Sequence, residues 1–182
     1  GLTDNNMASF PLGLPYISAA MKQAGYAVHT LCLDYVDSDI KTALEDKILN
    51  DDIDVICTGG LSRDCHKILE IFNTALKIKP DIITIAGGGL ISSDPEIAMD
   101  VIKPDIGVIG EGEITMCELA HALDNKLSYH DIDGLIYWDA AKNLKQTSPR
   151  KGVADLNSIP FPDFDGFYYR KWSNENRNLG FI

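Results

Sequence analysis

Few residues in this chain stand where they could do chemistry. Asp64-Cys65-His66 sets an acid two residues from a histidine, a spacing that can turn an imidazole toward a metal. The plainer alternative makes Ser62 or Asp64 a helix cap, with His66 on the first exposed turn. Glu111 and Glu113 could form a general acid/base pair. They could equally cap the helix that follows and accept hydrogen bonds from a ligand's amides, because carboxylates near a helix N-terminus are electrostatically favoured. His29 lies in an apolar run, and His121 and His130 have no partner close in sequence, so all three read as structural. No nucleophile, base and orienting group can be assembled from the remainder. The residues describe a binding module rather than a self-sufficient enzyme, with no catalytic and no metal-ligating residue assigned.

What would be bound is indicated by glycine. Asp54-Val55-Ile56-Cys57-Thr58 runs into Gly59-Gly60, and Lys79-Pro80-Asp81-Ile82 opens a run ending in Gly87-Gly88-Gly89. Lys103-Pro104-Asp105-Ile106 opens a third, ending in Gly110-Glu111-Gly112-Glu113. Short β-rich runs without polar alternation are what strands buried on both faces look like. Glycine at each carboxyl end permits a close ligand approach, and open α/β sheets bind ligands outside those ends.

The elements that must position these loops alternate along the chain. Gly1 to Phe10 is polar and turn-like and contains no strand, although a parallel α/β domain ordinarily starts with one. A helix follows with Pro15 in its first turn, Ile17, Ala20, Met21 and Ala24 on one face, and Gly25 as its stop. The expected order is then a strand over 26–33, a helix capped by Asp37 or Ser38, a strand over 54–58 and a helix over 63–78. A strand over 82–86, a short helix over 95–101, a strand over 106–109 and a helix over 114–123 complete it. Right-handed βαβ units follow. Restoring a first strand makes five, the number of a flavodoxin-like, doubly wound, three-layer αβα sheet. Leu135–Trp138 and Leu144–Thr147 around Asp139–Asn143 read as a β-hairpin. Pro160 and Pro162 then fix an extended linker. The expected organisation is a Rossmann-like domain over 1–125, a hairpin appendage over 126–150 and a linker over 151–182.

A net charge of −11 argues against nucleic-acid binding, which needs clustered Lys and Arg. The four cysteines form no C-x-x-C pair; Cys32 and Cys57 fall in apolar runs and read as buried free thiols, fitting a reducing cytoplasm. No apolar run approaches the roughly 18 residues of a membrane span. No G-x-x-x-x-G-K-[ST] is present, and Gly110-Glu111-Gly112 leads to Thr115 where a dinucleotide fingerprint wants glycine, with two glutamates repelling a pyrophosphate. A receiver domain needs an aspartate where Cys57-Thr58-Gly59 stands, and a flavodoxin needs aromatic flanks for its flavin.

Taken together, Pro11-Leu12-Gly13-Leu14-Pro15-Tyr16, Gly25, Ala86-Gly87-Gly88-Gly89 and Gly110-Glu111-Gly112-Glu113 resemble the N-terminal cobalamin-binding domain of cobalamin-dependent radical S-adenosylmethionine enzymes. The later pattern is similar too, in the hairpin segment Ile132-Asp133-Gly134-Leu135-Ile136-Tyr137 and the linker from Asp155 to Pro162. The resemblance implies cobalamin held at the strand carboxyl ends. Gly87, Gly88 and Gly89 would leave room for its nucleotide tail, with Ser92 or Ser93 as polar partners. Thr58, Gly59, Gly60, Leu61 and Ser62 would lie under or beside the corrin, and Glu111, Gly112 and Glu113 would meet its amides. A large apolar disc rimmed by amides suits such a site. The D-x-H-x-x-G signature of histidine-ligated cobalamin proteins is absent; Asp64-Cys65-His66-Lys67-Ile68-Leu69 copies only its start. The resemblance therefore implies base-off cobalamin without a histidine lower ligand. The C-x-x-x-C-x-x-C cluster motif is also absent, so the [4Fe-4S] cluster and S-adenosylmethionine are expected in a C-terminal radical domain, where methyl transfer would occur. The alternatives are a flavin- or nucleotide-binding flavodoxin-like module and a ligand-free interaction domain.

Overall fold

The computed structural model describes residues 10–175. The expected polar lead-in before Phe10, and the linker beyond residue 175, lie outside them. Helix α1 (Gly13–Gln23) is followed by α2 (Ile40–Asn50), strand β1 (Val55–Gly59), α3 (Cys65–Ile78), β2 (Ile83–Gly87), α4 (Gly89–Ser93), α5 (Pro95–Ile102), β3 (Ile106–Val108) and α6 (Glu113–Asp124). The hairpin strands β4 (Leu135–Trp138) and β5 (Leu144–Gln146) come next, and the tail carries α7 (Tyr169–Glu175).

The five strands form one sheet in the order β1-β2-β3-β4-β5. The pairs β1–β2 and β2–β3 are parallel, whereas β3–β4 and β4–β5 are antiparallel. The hairpin thus extends the sheet rather than hanging from it. Its turn is built by Asp139, whose carboxylate accepts from the Ala141 and Asn143 amides at 2.9 and 2.8 Å, an Asx-type closure. Helices cover both faces. Leu44, Ile48, Ile68, Phe72, Ile91, Met99 and Ile102 pack one side; Met116 and Leu119, with Ile17 and Met21, pack the other. This is the expected α/β three-layer architecture, with a mixed sheet instead of a wholly parallel one.

Local stops and starts explain most boundaries. Gly25 ends α1 with φ +93, its amide donating to the Lys22 carbonyl, as a left-handed cap requires. Asp94 accepts from the Ile97 amide and Pro95 starts α5. The cap of α2 is Asp39, not Asp37 or Ser38: its Oδ1 accepts from the Thr42 amide at 3.0 Å. Asp39 wins because it immediately precedes the first helical residue, in extended geometry. Neither Ser62 nor Asp64 caps α3 with its side chain; a short 3₁₀ turn over Ser62–Asp64 leads into it.

The largest difference from expectation lies at 26–33. That segment has the alternating half-buried and exposed residues of a strand over Tyr26–Thr30, yet it pairs with nothing in the sheet. It is pinned at His29, whose Nδ1 lies 3.0 Å from Asp51 Oδ2, an oxygen that Lys47 also reaches at 2.7 Å. A strand has no ladder without a neighbour, and none of the five strands pairs with this segment. Cys57 of β1 is consequently exposed rather than buried. Surrounding protein nevertheless disfavours its thiolate and pushes the thiol up to about 12. Cys32 is half-buried, and all four cysteines are free.

The twin Lys-Pro-Asp-Ile segments do different work. Lys79 Nζ reaches Asp54 at 2.7 Å and the Ile53 carbonyl at 3.0 Å, tying the end of α3 to the start of β1. Asp105 instead accepts from both the amide and the hydroxyl of Thr84 at 2.8 Å, stitching β2 to β3. Gly107 sits where the hairpin closes on the sheet: a Cβ there would fall 2.6 Å from Ile136 Cγ2 and 3.0 Å from Met99 Sδ. Gly107→Val overpacks a fully buried seam and should cost about 2–3 kcal/mol. The urea midpoint should fall with an unchanged slope; an unchanged midpoint would mean that the hairpin does not seat against β3 as described.

Candidate functional site

The carboxyl ends of β1 and β2 meet backbone to backbone. A Cβ on Gly59 would lie 2.7 Å from the Gly87 carbonyl oxygen, so no other residue allows the two strand ends this approach. The loops that follow stay locked together: the Leu90 amide donates to the Gly60 carbonyl at 2.9 Å. A Cβ on Gly88 would come within 3.1 Å of Gly60 N and O, and its φ of +77 already favours glycine. A Cβ on Gly89 would meet Leu61 Cδ2 at 2.8 Å, the far end of a flexible side chain.

Asp64 does not cap α3 but turns back on the 3₁₀ turn that precedes it. Its Oδ2 accepts from the Leu61 amide at 2.8 Å, and a Cβ on Gly60 would clash with that carboxylate. Leu61 is thereby held upright at the rim, about half exposed. Ser92, exposed at the end of α4, accepts from the Gly110 amide at 2.9 Å and so joins the β2 loop to the β3 loop. Gly110 takes φ +79 there. Thr58, Gly59, Gly60, Leu61, Ser62, Gly87, Gly88, Gly89 and Ser92 therefore line one continuous rim, poor in side chains and backed by an apolar core. An apolar, amide-rimmed disc with a protruding tail fits such a surface, because little needs to be displaced for the backbone to be reached.

The glutamates have other partners. Glu111 Oε2 accepts from the Val153 amide at 3.0 Å, in the tail. Gly112 lies against Ile17, where a Cβ would be 2.9 Å from Cδ1. Glu113 begins α6 and lines a cavity of about 290 Å³ between α1, α6 and Ser158–Pro160; its Oε2 is buried there without a hydrogen bond. The two carboxylates thus face different neighbours and do not form an acid/base pair. His66 is exposed on the first turn of α3, and among the described residues no group of three or more His, Cys, Asp and Glu could hold a metal. His121 and His130 do have partners: Asn125 lies 3.3 Å from His121 Nδ1, and the His130 ring stacks on Tyr137 at 4.8 Å. Sequence reasoning missed Asp64 as a loop brace, and also helix α4. The signal for both was local, an acid three residues after Leu61 and an apolar pair, Leu90-Ile91, straight after the third glycine.

The tail straps this end of the molecule. Asp163 Oδ2 accepts from Ser18 Oγ at 2.7 Å and from Lys22 Nζ at 2.6 Å, and the Asp163 amide donates to the Pro15 carbonyl. The Thr30 hydroxyl donates to the Gly166 carbonyl at 2.6 Å. Burial would raise the Asp163 carboxyl, but Lys22 and Ser18 outweigh it and hold the group below the ordinary range. A depressed folded-state pKa contributes stability that is present above about pH 3.9 and lost as pH falls through the folded value. Asp163→Asn should loosen the strap by on the order of 1–2 kcal/mol. Faster hydrogen exchange over residues 163–175 at pH 7, with the gap closing below about pH 3.9, would report it; equal exchange at pH 7 would refute the anchor.

Comparison with known proteins converges on one family. A model described as "B12 binding domain" matches residues 7–120, well over half of the chain. The "uncharacterized methyltransferase PH0819" of Pyrococcus horikoshii is 28% identical over 94% of this chain and 37% of its own length. The cytidylyl-2-hydroxyethylphosphonate methyltransferase of Streptomyces wedmorensis is 22% identical over 90% of this chain and 38% of its own. The chain therefore spans under two-fifths of the length of these curated relatives. Among solved structures, the radical S-adenosylmethionine methyltransferase TsrM from Kitasatospora setae, with cobalamin and a [4Fe-4S] cluster bound, superposes with a TM-score of 0.69 at 21% identity, covering 84% of this chain and 28% of that one. The cobalamin-dependent S-adenosylmethionine radical enzyme OxsB, with aqua-cobalamin bound, gives 0.68 at 20% identity, covering 87% and 22%. At these identities the superpositions establish the Rossmann-like fold alone, and the matches give the flavin alternative no support. The match over residues 7–120 and the shared fold together place this chain in the B12-binding domain family, in the form resembling the cobalamin-binding module of cobalamin-dependent radical S-adenosylmethionine methyltransferases.

Proposed function

We propose that this domain holds cobalamin base-off on the rim of β1 and β2, with Thr58–Ser62 beside the corrin and Gly87–Gly89 with Ser92 flanking the nucleotide tail. The reading is carried by one observation: at the carboxyl ends of β1 and β2 the two glycine loops close on each other to distances that a Cβ on Gly59 or Gly88 would prevent, with Gly88 exposed between them. Glu111 contributes from the adjoining loop, while Glu113 lines the cavity between α1, α6 and the tail. Glu111 is positioned to accept from a corrin amide through its oxygen not paired with Val153, and Gly112 lets α1 close behind it. Amide contacts of this kind orient a large ligand at modest cost, since each exchanges one hydrogen bond for another.

Within a longer protein, the domain would serve a C-terminal radical S-adenosylmethionine domain carrying the [4Fe-4S] cluster, and the whole would transfer methyl groups. Both proposals draw on what the longer relatives and structural neighbours are named for. The chemistry supplied by cobalamin is methyl donation; this chain's own part is to bind and orient it. The domain reading over 1–125, with the hairpin over 126–150 and a linker over 151–182, belongs to the same proposal. No helix among the described residues is long and apolar enough to cross a membrane, and a cytoplasmic setting is proposed from the free cysteines.

The direct test incubates the protein separately with hydroxocobalamin and flavin mononucleotide and passes each mixture through gel filtration. Red colour co-eluting with protein is expected; retained yellow, or neither, overturns the reading. Gly89→Phe pushes a ring between the two loops against Leu61, which can move aside, so the melting temperature should hold within about 3 °C while cobalamin retention is lost. Retention by that variant would refute the rim placement.

His66 provides a second check. It is exposed on α3, and base-off binding without a histidine ligand requires no contribution from it. His66→Ala should leave the absorption spectrum of bound cobalamin unchanged, and a shift in the visible bands on substitution would make it a cobalt ligand.

A further inference from the structure

Among the described residues, two carboxylate oxygens are buried without a hydrogen bond, Asp51 Oδ2 and Glu113 Oε2. Asp51 has a cation in reach, with Lys47 Nζ at 2.7 Å. Glu113 Oε2 has neither a donor nor a counterion among the described residues. A carboxylate taken out of water and left unpaired is costly, and folded proteins hold few such groups. Glu113 is the first residue of α6, where the helix dipole favours a negative charge. The dipole lets the chain carry a carboxylate there but supplies no partner for it.

The cavity that Glu113 lines has an apolar interior and a polar mouth. Ala20 on its wall is buried and Cys117 half-buried, whereas Gln23, Ala24 and Ser158 are exposed. Burial, and after it the Glu118 carboxylate, push the Cys117 thiol above its ordinary value, as a dry and negative surrounding does. No lysine, arginine or histidine lines the cavity. Glu118, the other carboxylate on its wall, is already paired with Arg150. An entering anion would meet two carboxylates and no cation, and a neutral donor would leave the Glu113 charge buried. The chemistry therefore asks for a cation. A single oxygen needs a donor, which suits the point charge of an ammonium better than the bidentate fork of a guanidinium. A volume of about 290 Å³ holds roughly ten heavy atoms at about 30 Å³ each, so a stem of about four methylenes fits along the apolar wall.

We infer that this cavity is a binding site apart from the glycine rim, and that it takes a primary ammonium on a short aliphatic stem with Glu113 as the counterion. The stem lies along Ala20, Cys117 and Ile159, and the ammonium reaches the buried oxygen. Long cationic side chains and free amines both bury their methylenes in this way against apolar surface. Ile159 and Pro160 belong to the tail, so a seated ligand also joins the tail to α1 and α6. The site stands on the cavity and its carboxylate, and it holds whether or not cobalamin is retained.

The test titrates the protein with n-butylammonium, n-butanol and butyrate while following the methyl resonances of Ala20, Ala24 and Ile114. Saturable shifts are expected with n-butylammonium at roughly millimolar concentration, the range open to so small a ligand. The alcohol should bind about tenfold or more weakly, and butyrate should leave the resonances in place. The shifts should persist in about 0.3 M sodium chloride, which screens cations gathered only by the net charge of −11. Glu113→Gln keeps the shape and removes the charge, so it should weaken n-butylammonium by about tenfold or more without lowering the melting temperature. Ala24→Trp keeps the carboxylate and covers the mouth, and it should weaken binding by a similar factor. Nα-acetyl-lysine methylamide carries the same stem on a peptide unit; whichever of the two amines binds about tenfold tighter identifies a lysine side chain or a free amine as the source, and equal affinity means that the mouth admits both. Hydroxocobalamin should leave the shifts unchanged, and their loss on its addition would assign Glu113 to the corrin and overturn the inference. Equal binding of n-butylammonium and n-butanol, loss of the shifts in salt, or undiminished affinity in Glu113→Gln overturns it too. So does the absence of any saturable shift, which would mean that water alone satisfies Glu113.

Discussion

The contact on which the rest of this structure depends is the one between Gly59 and Gly87. Parallel strands diverge by their twist unless something holds their ends together, and here the ends close to a distance that a single Cβ would prevent. Everything on the rim inherits that closure. The Leu90 amide can reach the Gly60 carbonyl only because the strand ends are already adjacent, and α4 can start at Gly89 only because Gly88 turns the chain at φ +77. Ser92 at the end of α4 then reaches the Gly110 amide and brings the third loop into line. One missing methyl group at each strand end thus propagates through two hydrogen bonds to set three loops.

The hairpin and tail work on the same rim from outside. Strand β4 pairs antiparallel with β3 from Ile106 to Val108, which buries the far edge of the parallel strands and leaves Leu135 and Ile136 fully in the core. The tail then returns under the site. Arg150 donates from Nε to the buried Thr115 hydroxyl at 2.6 Å and pairs with Glu118, locking the start of the tail to α6. Val153 and Asp163 tie it to Glu111 and to α1. Further on, Phe10, Phe164, Tyr169 and Trp172 form an aromatic cluster with centroids 4.6–6.1 Å apart, a spacing at which rings attract beyond their area. The tail read from its prolines as a linker packs on the domain through residue 175, while Phe161 at 90% exposed is left for solvent or a neighbour.

What could be read in advance follows from how local its cause was. Glycine-ended apolar runs located β1, β2 and β3 within a residue or two, because buried parallel strands need no partner-specific pattern. Gly25, Pro15 and Pro95 set helix ends by their own backbone limits. The largest failures were non-local. Tyr26–Leu33 carries the composition of a strand, but pairing belongs to two segments, and none of the five strands pairs with it. Cys57 sits in an apolar run yet is exposed for the same reason. Helix α4 is five residues long, below the reach of a 3.6-residue periodicity. The hairpin was legible as a hairpin, but joining it to β3 depended on Gly107 yielding to Ile136, a contact between residues 29 positions apart.

Glu111 and Glu113 show most clearly where sequence alone stops. They are chemically identical, two residues apart, beside one glycine, and nothing in their types separates them. The fold does so through Gly112, whose missing side chain lets Ile17 of α1 approach. That approach places Glu113 between α1 and α6, with a carboxylate oxygen buried and unpartnered, and leaves Glu111 exposed at the rim with one oxygen on the Val153 amide. A buried, unpaired carboxylate oxygen is costly, and a sequence keeps one only where packing around it leaves no alternative or where a partner arrives. The cavity that holds it is closed on one side by Ser158–Pro160 of the tail, so the group that would satisfy Glu113 has to enter between tail and helix rather than from the glycine rim. The rim-facing chemistry of the pair therefore rests on Glu111, and Glu113 faces the cavity between α1, α6 and the tail.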